Sequence, residues 1–493
     1  MAEIRLTRRE LLQGAIATAG LAVTGSLRAD SVLASSGLMP GHAREGAGVA
    51  INGGNVPATA ARNFRVVLPQ EILPLPEGVS KYRTTPGFKW RGIKGWGWTA
   101  AQYLEEIPVM AQYKMNFLMN CYISMWNPVA VYGTGGQHLD KDSNHWYEPL
   151  PEEKKRAYER VVRECQRHGT EFCFSMNPIL SSDRPFDYDN SQDLQALWQH
   201  YAWMQGLGVK WFNVSLDDIS QGIDAGGQAK LVNEVMRRLR AKDPGAQMLF
   251  CPTWYAGPNG DGSESSPRVG TGDTAGVRYT KELAEKLNPE VYLFWTGPEV
   301  CSLTITNEAA QAYKTLAKHR LFIWDNYPVN DQNPTLHLGP VMGRDPRLMN
   351  VAEGFISNPL SPQNQANRIP MLTIADYTWN PEAYDPARSI GQSIAHLGRT
   401  PEERSVLKDL VELYPGRLVD GSLSTDWNSF RHQFRLILDS GSQAAAKNFI
   451  THAEGVAQRL GKLFPERFVL ARKVLDADID AIRMDYSKMY SLK

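Results

Sequence analysis

Asp217 and Asp218 are adjacent carboxylates that follow directly after Val209–Leu216, an apolar run with the composition of a buried strand. Like charges held this close raise the pKa of one member of the pair. Two acids with separated pKa values suit an acid-assisted hydrolysis, because one can give up a proton while the other stays ionised. The alternative interpretation is structural: one aspartate caps a helix near Ala229, and its neighbour is solvated.

The elements that must position this pair alternate regularly from residue 88 onward. Helix-like segments separate eight strand-like runs, which cover Lys89–Ile93, Asn116–Ile123, Glu171–Met176, Lys210–Leu216, Met248–Pro252, Val291–Trp295, Leu321–Trp324 and Gly354–Ile356. This alternation predicts an α/β fold of the (β/α)8 or TIM barrel class, which typically takes about 250 residues. A doubly wound open sheet is the competing fold, but no Gly-rich phosphate motif follows an early strand.

In such a barrel the active site lies at the C-terminal ends of the strands. The predicted ends carry acids, amides and aromatic rings, without histidine or cysteine: Gly95–Trp98, Tyr122, Met176-Asn177, Asp217-Asp218, Thr253–Tyr255, Trp295–Gly297, Trp324–Tyr327 and Ser357-Asn358. A single aromatic ring among them would be read as core packing. Together they favour glycoside chemistry, in which rings stack on sugar faces and amides bind hydroxyl groups.

The N-terminal residues resemble a twin-arginine export signal. Thr7–Leu12 contains Arg8-Arg9 and precedes an uncharged stretch, Gly14–Val23, that is too short to span a bilayer. Val32–Ala34 fits a cleavage site. We therefore expect residues 1–34 to direct export, which makes the protein periplasmic or secreted. A cytosolic amphipathic helix is the alternative.

Three further regions follow the predicted signal. Residues 35–86 are rich in Gly, Ala and Pro and predict a linker, with a short strand over 63–68. Residues 87–386 form the predicted catalytic barrel. Residues 387–493 show apolar positions at helical spacing and predict a helical C-terminal domain with a structural role. Its predicted helices are Pro401–Leu413, Thr425–Asp439, Ala444–Phe464 and Phe468–Lys488.

Composition excludes several classes of partner and cofactor. Lys+Arg and Asp+Glu balance at 53 each, and no long basic run occurs, which argues against nucleic acid or an anionic membrane as the main partner. The five cysteines lack metal-ligand spacing, so we expect buried free thiols, neither disulfides nor zinc. No metal and no other cofactor is predicted. The oligomeric state is left open.

Four sets of residues carry a family resemblance: Phe294–Pro298, Trp324–Asp331, Leu338–Pro340 with Gly343–Pro346, and Asp376-Tyr377 with Trp379–Pro386. Together they resemble glycoside hydrolase family 84, which holds bacterial β-N-acetylglucosaminidases, enzymes once called hyaluronidases, and animal O-GlcNAcases. The resemblance covers about 91–386, and we do not expect in this chain the sizeable α/β domain that many members carry ahead of the barrel.

The resemblance implies a retaining β-N-acetylhexosaminidase with a carbohydrate substrate. Asp217 would orient the N–H of the substrate's 2-acetamido group, whose carbonyl oxygen attacks the anomeric carbon, and Asp218 would act as general acid and then base. This is the substrate-assisted exception to hydrolysis by two carboxylates. Tyr255 would bind the acetamido oxygen and Trp324 would pack on its methyl group. The residues implied to bind the sugar are Gly95, Asn326, Asp331 and Asn358.

One departure from the family bears on the substrate. The family usually has a lysine at the end of the second strand that contacts a sugar hydroxyl, and here Tyr122 aligns with it. The first-strand motif is also altered, to Gly95–Trp98. We therefore expect weak turnover of unmodified N-acetylglucosaminides, with a different or modified 2-acetamido sugar as the alternative substrate. A glycan-binding pseudoenzyme is the other alternative, although the chain keeps both aspartates.

Overall fold

The computed structural model of the chain describes residues 64–73, 75, 85–126, 144–259, 268–331 and 333–490. The predicted export signal, residues 1–34, lies outside these ranges, as does most of the predicted linker. Within the described residues, no helix is both long and apolar enough to cross a membrane.

Eight parallel strands close into a barrel, in chain order around the ring, which confirms the predicted fold class. The pairing of the last strand with the first completes the ring. The strands are β1 Trp90–Lys94, β2 Phe117–Met119, β3 Glu171–Met176, β4 Trp211–Ser215, β5 Gln247–Cys251, β6 Tyr292–Trp295, β7 Arg320–Pro328 and β8 Ala352–Asn358.

Helices surround the barrel and continue after it. Those of the barrel region are α1 Ala100–Gln112, α2 Glu152–Arg167, α3 Ser191–Gly206, α4 Ala225–Lys242, α5 Ala275–Lys286, α6 Asn307–Ala317 and α7 Asn364–Trp379. In the described residues, a short 3-10 helix, Pro346–Asn350, takes the place of a crossover α-helix between β7 and β8. The later helices are α8 Pro386–Leu397, α9 Pro401–Leu413, α10 Arg417–Asp420, α11 Ser429–Asp439, α12 Gln443–Leu463 and α13 Val469–Tyr490.

The interior of the barrel is a packed core of large side chains. Side chains alternate across a strand, so every second residue of each strand points inward. The inward set includes Trp90, Phe117, Met119, Cys173, Trp211, Leu249, Tyr292, Phe294, Phe322 and Ile356. Trp211 contacts four other rings of this core edge-on or tilted, at centroid distances of 5.0–5.7 Å. This filling leaves the C-terminal mouth as the place where polar groups can gather.

The strand predicted over 63–68 is absent from the described residues 64–68. The chain there is extended without strand pairing, and Val66 is buried among the apolar side chains of the C-terminal helices. The Val66 N–H donates to Glu412 Oε1 at 2.9 Å. The prediction of a strand is therefore wrong for these residues, because a side chain of the helical region bonds the backbone where a neighbouring strand would have done so.

A buried ion pair fixes the long loop between β7 and β8. Arg344 binds Asp325 with two hydrogen bonds, from Nε to Oδ2 at 2.8 Å and from Nη2 to Oδ1 at 2.7 Å, and both side chains are almost fully buried. The guanidinium also donates to the carbonyl oxygens of Ser302, Leu303 and Met342. The bidentate geometry therefore ties the loop after β6 and the loop after β7 to the end of β7.

We predict that Arg344→Met lowers the free energy of unfolding by about 3–5 kcal/mol, because it leaves the Asp325 carboxylate buried without its partner. Urea unfolding followed by circular dichroism measures this loss. Arg347→Met is the matched control, because Arg347 makes its ion pairs with Asp345 and Glu308 at the surface. Similar losses in the two variants would contradict the importance given to the buried pair.

Candidate active site

Asp217 and Asp218 lie just beyond the end of β4, at the C-terminal mouth of the barrel. The backbone stays in register through Leu216, whose N–H donates to Cys251 O at 2.8 Å. At Asp218 the backbone turns into the left-handed region, with a φ of 55°. That conformation costs an L-residue roughly 1–2 kcal/mol. It breaks the strand alternation that would otherwise send adjacent side chains to opposite faces.

Two tyrosines, one from the end of β2 and one from the end of β5, each hold one of these carboxylates. The hydroxyl of Tyr122, which follows β2, donates to Asp217 Oδ2 at 2.6 Å. The hydroxyl of Tyr255, which follows β5, donates to Asp218 Oδ1 at 2.7 Å. The structural alternative for the aspartate pair is wrong about the helix cap, because Asp224 caps α4 instead, with its side chain accepting from Gly226 N. Its other part holds, because Asp218 is exposed to solvent.

The electrostatic surroundings of Asp217 shift its pKa away from that of an ordinary carboxyl group. Burial, and next the charge of Asp218, raises the pKa of Asp217 to about 6, while Lys94 and the Tyr122 hydrogen bond oppose the rise. Burial also raises the pKa of the Tyr122 and Tyr255 phenols well above their ordinary value. Both phenols are therefore protonated donors at neutral pH, and Asp217 is mostly ionised.

The amides predicted to bind sugar lie together on the opposite side of the mouth. Asn358 Nδ2 donates to Asn326 Oδ1 at 3.0 Å, and Asn358 Oδ1 accepts from the backbone N–H of Trp96 at 3.0 Å. Asn326 Nδ2 donates to Val300 O at 2.7 Å. The β7–β8 register pairs Pro328 with Asn358, which brings the ends of the two strands to one level. The network fixes the orientation of both amides.

Gly95 and Trp324 also lie in this mouth. A Cβ on Gly95 would come within 2.2 Å of the Trp98 ring, so the turn after β1 needs glycine here. Trp324 is an inward-facing residue of β7 and is only 4% exposed. Its ring packs edge-on against Phe294.

The predicted sugar-binding residue Asp331 is tied to the C-terminal helical region. Its backbone has a φ of 46°, and its Oδ2 accepts from Thr425 Oγ1 at 2.6 Å. Arg417, at the start of α10, is fully buried and donates to the carbonyl oxygens of Asn326 and Cys301. The helical region expected to be only structural thus reaches the rim of the candidate site.

Sequence reasoning missed two cationic residues, Arg417 and Lys94. Nothing near Arg417 in the chain indicates its contact with Asn326, because 91 residues separate them. Lys94 is the last residue of β1 and is fully buried at the mouth of the barrel. The alternation of β1 could have indicated it, because Trp90 faces inward and Lys94 follows at an even spacing.

No arrangement for a metal is found in the part of the chain that the structure describes. No three His, Cys, Asp or Glu side chains there are grouped closely enough to hold an ion. The groups that could do chemistry at the mouth are therefore the carboxylates, the phenols, the amides and one ammonium. This set can transfer protons and bind hydroxyl and amide groups.

Comparisons with known proteins point to one family and one fold. A family model for β-N-acetylglucosaminidases matches residues 92–412, well over half of the chain. Protein O-GlcNAcase from Mus musculus and from Rattus norvegicus are each 26% identical over 245 residues, which are 48% of this chain. The matched region spans only 25% of the length of each of those relatives.

Two solved structures share the fold over most of the chain. A point mutant of the Thermobaculum terrenum O-GlcNAc hydrolase has a TM-score of 0.60 at 20% identity, covering 82% of this chain and 83% of that one. The structure of CpGH84B has a TM-score of 0.60 at 23% identity, covering 82% and 67%. At such identities the likeness shows the fold alone.

We predict that Arg417→Met lowers the free energy of unfolding by about 1–3 kcal/mol, because two partly buried carbonyl oxygens lose their donor. Chemical unfolding measures the change. Arg435→Met is the control, because Arg435 lies exposed on α11 of the same helical region. If Arg417→Met is no more destabilising than the control, the contact with the rim does not hold the two parts together.

Proposed function

We propose, from the fact that this chain belongs to the β-N-acetylglucosaminidase family, that it is a retaining β-N-acetylhexosaminidase in which the substrate's acetamido group is the nucleophile. One observation carries the proposal. Two adjacent carboxylates at the mouth of the barrel are each held by a separate tyrosine hydroxyl. Such a pair can serve two different atoms of one sugar.

In the first step Asp217 accepts a hydrogen bond from the acetamido N–H. The acetamido oxygen then attacks the anomeric carbon, the bond from that carbon to the leaving oxygen breaks, and Asp218 gives its proton to the leaving oxygen. In the second step water attacks the anomeric carbon and opens the oxazoline ring, while Asp218 takes the water's proton. Two inversions at the anomeric carbon retain the configuration.

The tyrosine on Asp218 links the protonation state of the acid to substrate binding. Tyr255 has one hydroxyl proton, and in this structure the hydroxyl donates it in a hydrogen bond to Asp218 Oδ1. A protonated Asp218 no longer needs this donor. Tyr255 is then free to donate to the acetamido oxygen, the role that the family resemblance implies, at the stage when the acid carries its proton.

The contact made by Tyr122 bears on the sugar. Its single hydroxyl proton goes to Asp217, so it does not replace the lysine that binds a sugar hydroxyl in the family. Weak turnover of unmodified N-acetylglucosaminides stays a prediction. No contact in the described residues favours a modified sugar over the N-acetylglucosaminide. Because the matching family model is one of β-N-acetylglucosaminidases, we take N-acetylglucosaminides as the proposed substrate class, and the prediction of weak turnover concerns only the rate at which they are hydrolysed.

We predict that Asp218→Asn lowers kcat/KM for substrates with poor leaving groups by about 10²–10⁴-fold and affects activated aryl glycosides less, because these need little protonation. Asp217→Asn should impair both kinds of substrate, because it weakens the nucleophile. Aryl glycosides of N-acetylglucosamine, N-acetylgalactosamine and glucosamine, with graded leaving groups, measure both effects.

Asp224→Asn is the control, because it keeps the helix cap on the same loop. Equal losses on all leaving groups in both active-site variants would contradict the assigned roles. A wild-type protein that binds a bicyclic thiazoline mimic of the oxazoline, yet hydrolyses no 2-acetamido glycoside, would favour the glycan-binding alternative.

We also propose that the protein is exported, on the strength of the Arg8-Arg9 motif and the uncharged stretch behind it. Replacing Arg8 and Arg9 by lysine should leave activity in the cytoplasm, whereas the wild-type chain should deliver it to the periplasm or the medium. Activity assays on cell fractions measure this. An unchanged distribution would contradict export by the twin-arginine route.

A further inference from the structure

Lys94 is a buried cation without a hydrogen-bond partner among the described residues. It ends β1, its side chain is fully buried, and its Nζ makes no hydrogen bond. Burying an ammonium without a partner is expensive, so a lysine in this state needs compensation from its surroundings. Three aromatic faces supply part of it, with the ring centroids of Trp324, Trp96 and Tyr122 at 4.2, 4.5 and 5.2 Å from Nζ.

The other compensation comes from Asp217. The Tyr122 ring lies against the Lys94 ammonium, while its hydroxyl donates to Asp217 Oδ2. The second oxygen of Asp217, Oδ1, is buried without a hydrogen-bond partner among the described residues. A buried ammonium and a buried carboxylate thus both adjoin one phenol, the first at its ring and the second at its hydroxyl, and the positive charge lowers the pKa of Asp217.

We propose that Lys94 is the cation that keeps Asp217 ionised, and that it acts through this carboxylate without touching the substrate. The inference rests on the proposed function, in which Asp217 accepts the acetamido N–H. The complete burial of Lys94, with three rings within 5.2 Å of Nζ, supports an indirect role. Lys94 is therefore a positioning residue. It differs in strand and in task from the family lysine, which binds a hydroxyl.

The other titratable groups near Asp217 cannot supply the positive charge that keeps it ionised. Asp218 raises the pKa of Asp217 by its negative charge, and Tyr122 contributes a neutral hydrogen bond. Cys251 and Tyr255 also face the pair, and burial raises the pKa of both groups well above the ordinary value, so both are neutral at neutral pH. Among the groups named here, Lys94 alone carries a positive charge.

The test is the pH dependence of kcat/KM for an activated aryl N-acetylglucosaminide in Lys94→Met. An activated leaving group reduces the contribution of Asp218, so the acid side of the profile reports Asp217, whose pKa is raised above its ordinary value by burial and by the charge of Asp218. A nearby cation favours the ionised carboxylate, so its loss should move the acid side to higher pH by about one unit or more. At alkaline pH the variant should approach wild-type activity, because Asp217 is ionised there in both proteins.

Two further variants make the result specific. Lys94→Arg keeps the charge and should leave the acid side near its wild-type position. Lys89→Met removes a lysine from just before β1, where its Nζ lies over the Trp90 ring at 5.3 Å, on the opposite end of the barrel. It should leave the profile unchanged. Thermal unfolding of each variant shows whether it is folded at the pH values used.

A second measurement is needed if Lys94→Met is folded but hydrolyses the substrate too slowly for a pH profile of kcat/KM. The pH dependence of thiazoline binding, followed by calorimetry, should show the same upward shift in Lys94→Met. A loss that is equal at every pH, with a raised KM, would indicate direct contact with the sugar and overturn the proposal. A profile that coincides with wild type would overturn it too. If instead the wild-type protein hydrolyses no 2-acetamido glycoside, it is the proposed function that fails.

Discussion

The structure depends on keeping two adjacent carboxylates in a partly dry barrel mouth without losing the charge of Asp217. The burial of Asp217 and the nearby charge of Asp218 both favour protonation of Asp217. Separate hydrogen-bond donors stabilise the ionised carboxylates, Tyr122 that of Asp217 and Tyr255 that of Asp218. The Lys94 ammonium, which lies over the Tyr122 ring, adds a positive charge near Asp217. Each of these groups comes from a different strand end, so only a closed barrel brings them together.

The same constraint explains why the backbone at the pair is strained and its surroundings are rigid. A left-handed Asp218 persists only where neighbouring contacts fix it more strongly than the strain opposes it. The hydrogen bond of Leu216 to β5 and the two tyrosines supply such contacts. The other side of the mouth is equally fixed, because Asn358 and Asn326 bond each other and the backbone.

Sequence reasoning predicted the fold well because the barrel is built from local signals. Each strand is a short apolar run with a helix-like segment after most of them, and strand ends must meet at one face. It could not predict which groups there pair with which. Tyr122 aligned with a sugar-binding lysine, yet its proton goes to Asp217. The predicted strand over 63–68 is an extended segment in which Val66 packs against the C-terminal helices, a contact between distant parts of the chain that the local sequence does not indicate.

In this molecule, belonging to a family motif does not tell whether a residue acts in the candidate site. Asp325 and Arg344 belong to the most family-like blocks of the sequence, yet they form a buried pair that supports the loops and face no open space. Lys94 and Arg417 lie outside those blocks, yet one stands behind the acid pair and the other holds the backbone of Asn326. A buried charge is costly wherever it lies, so each must be matched by a neighbour. The buried cations are therefore the most direct guide to the groups on which the site's electrostatics depend.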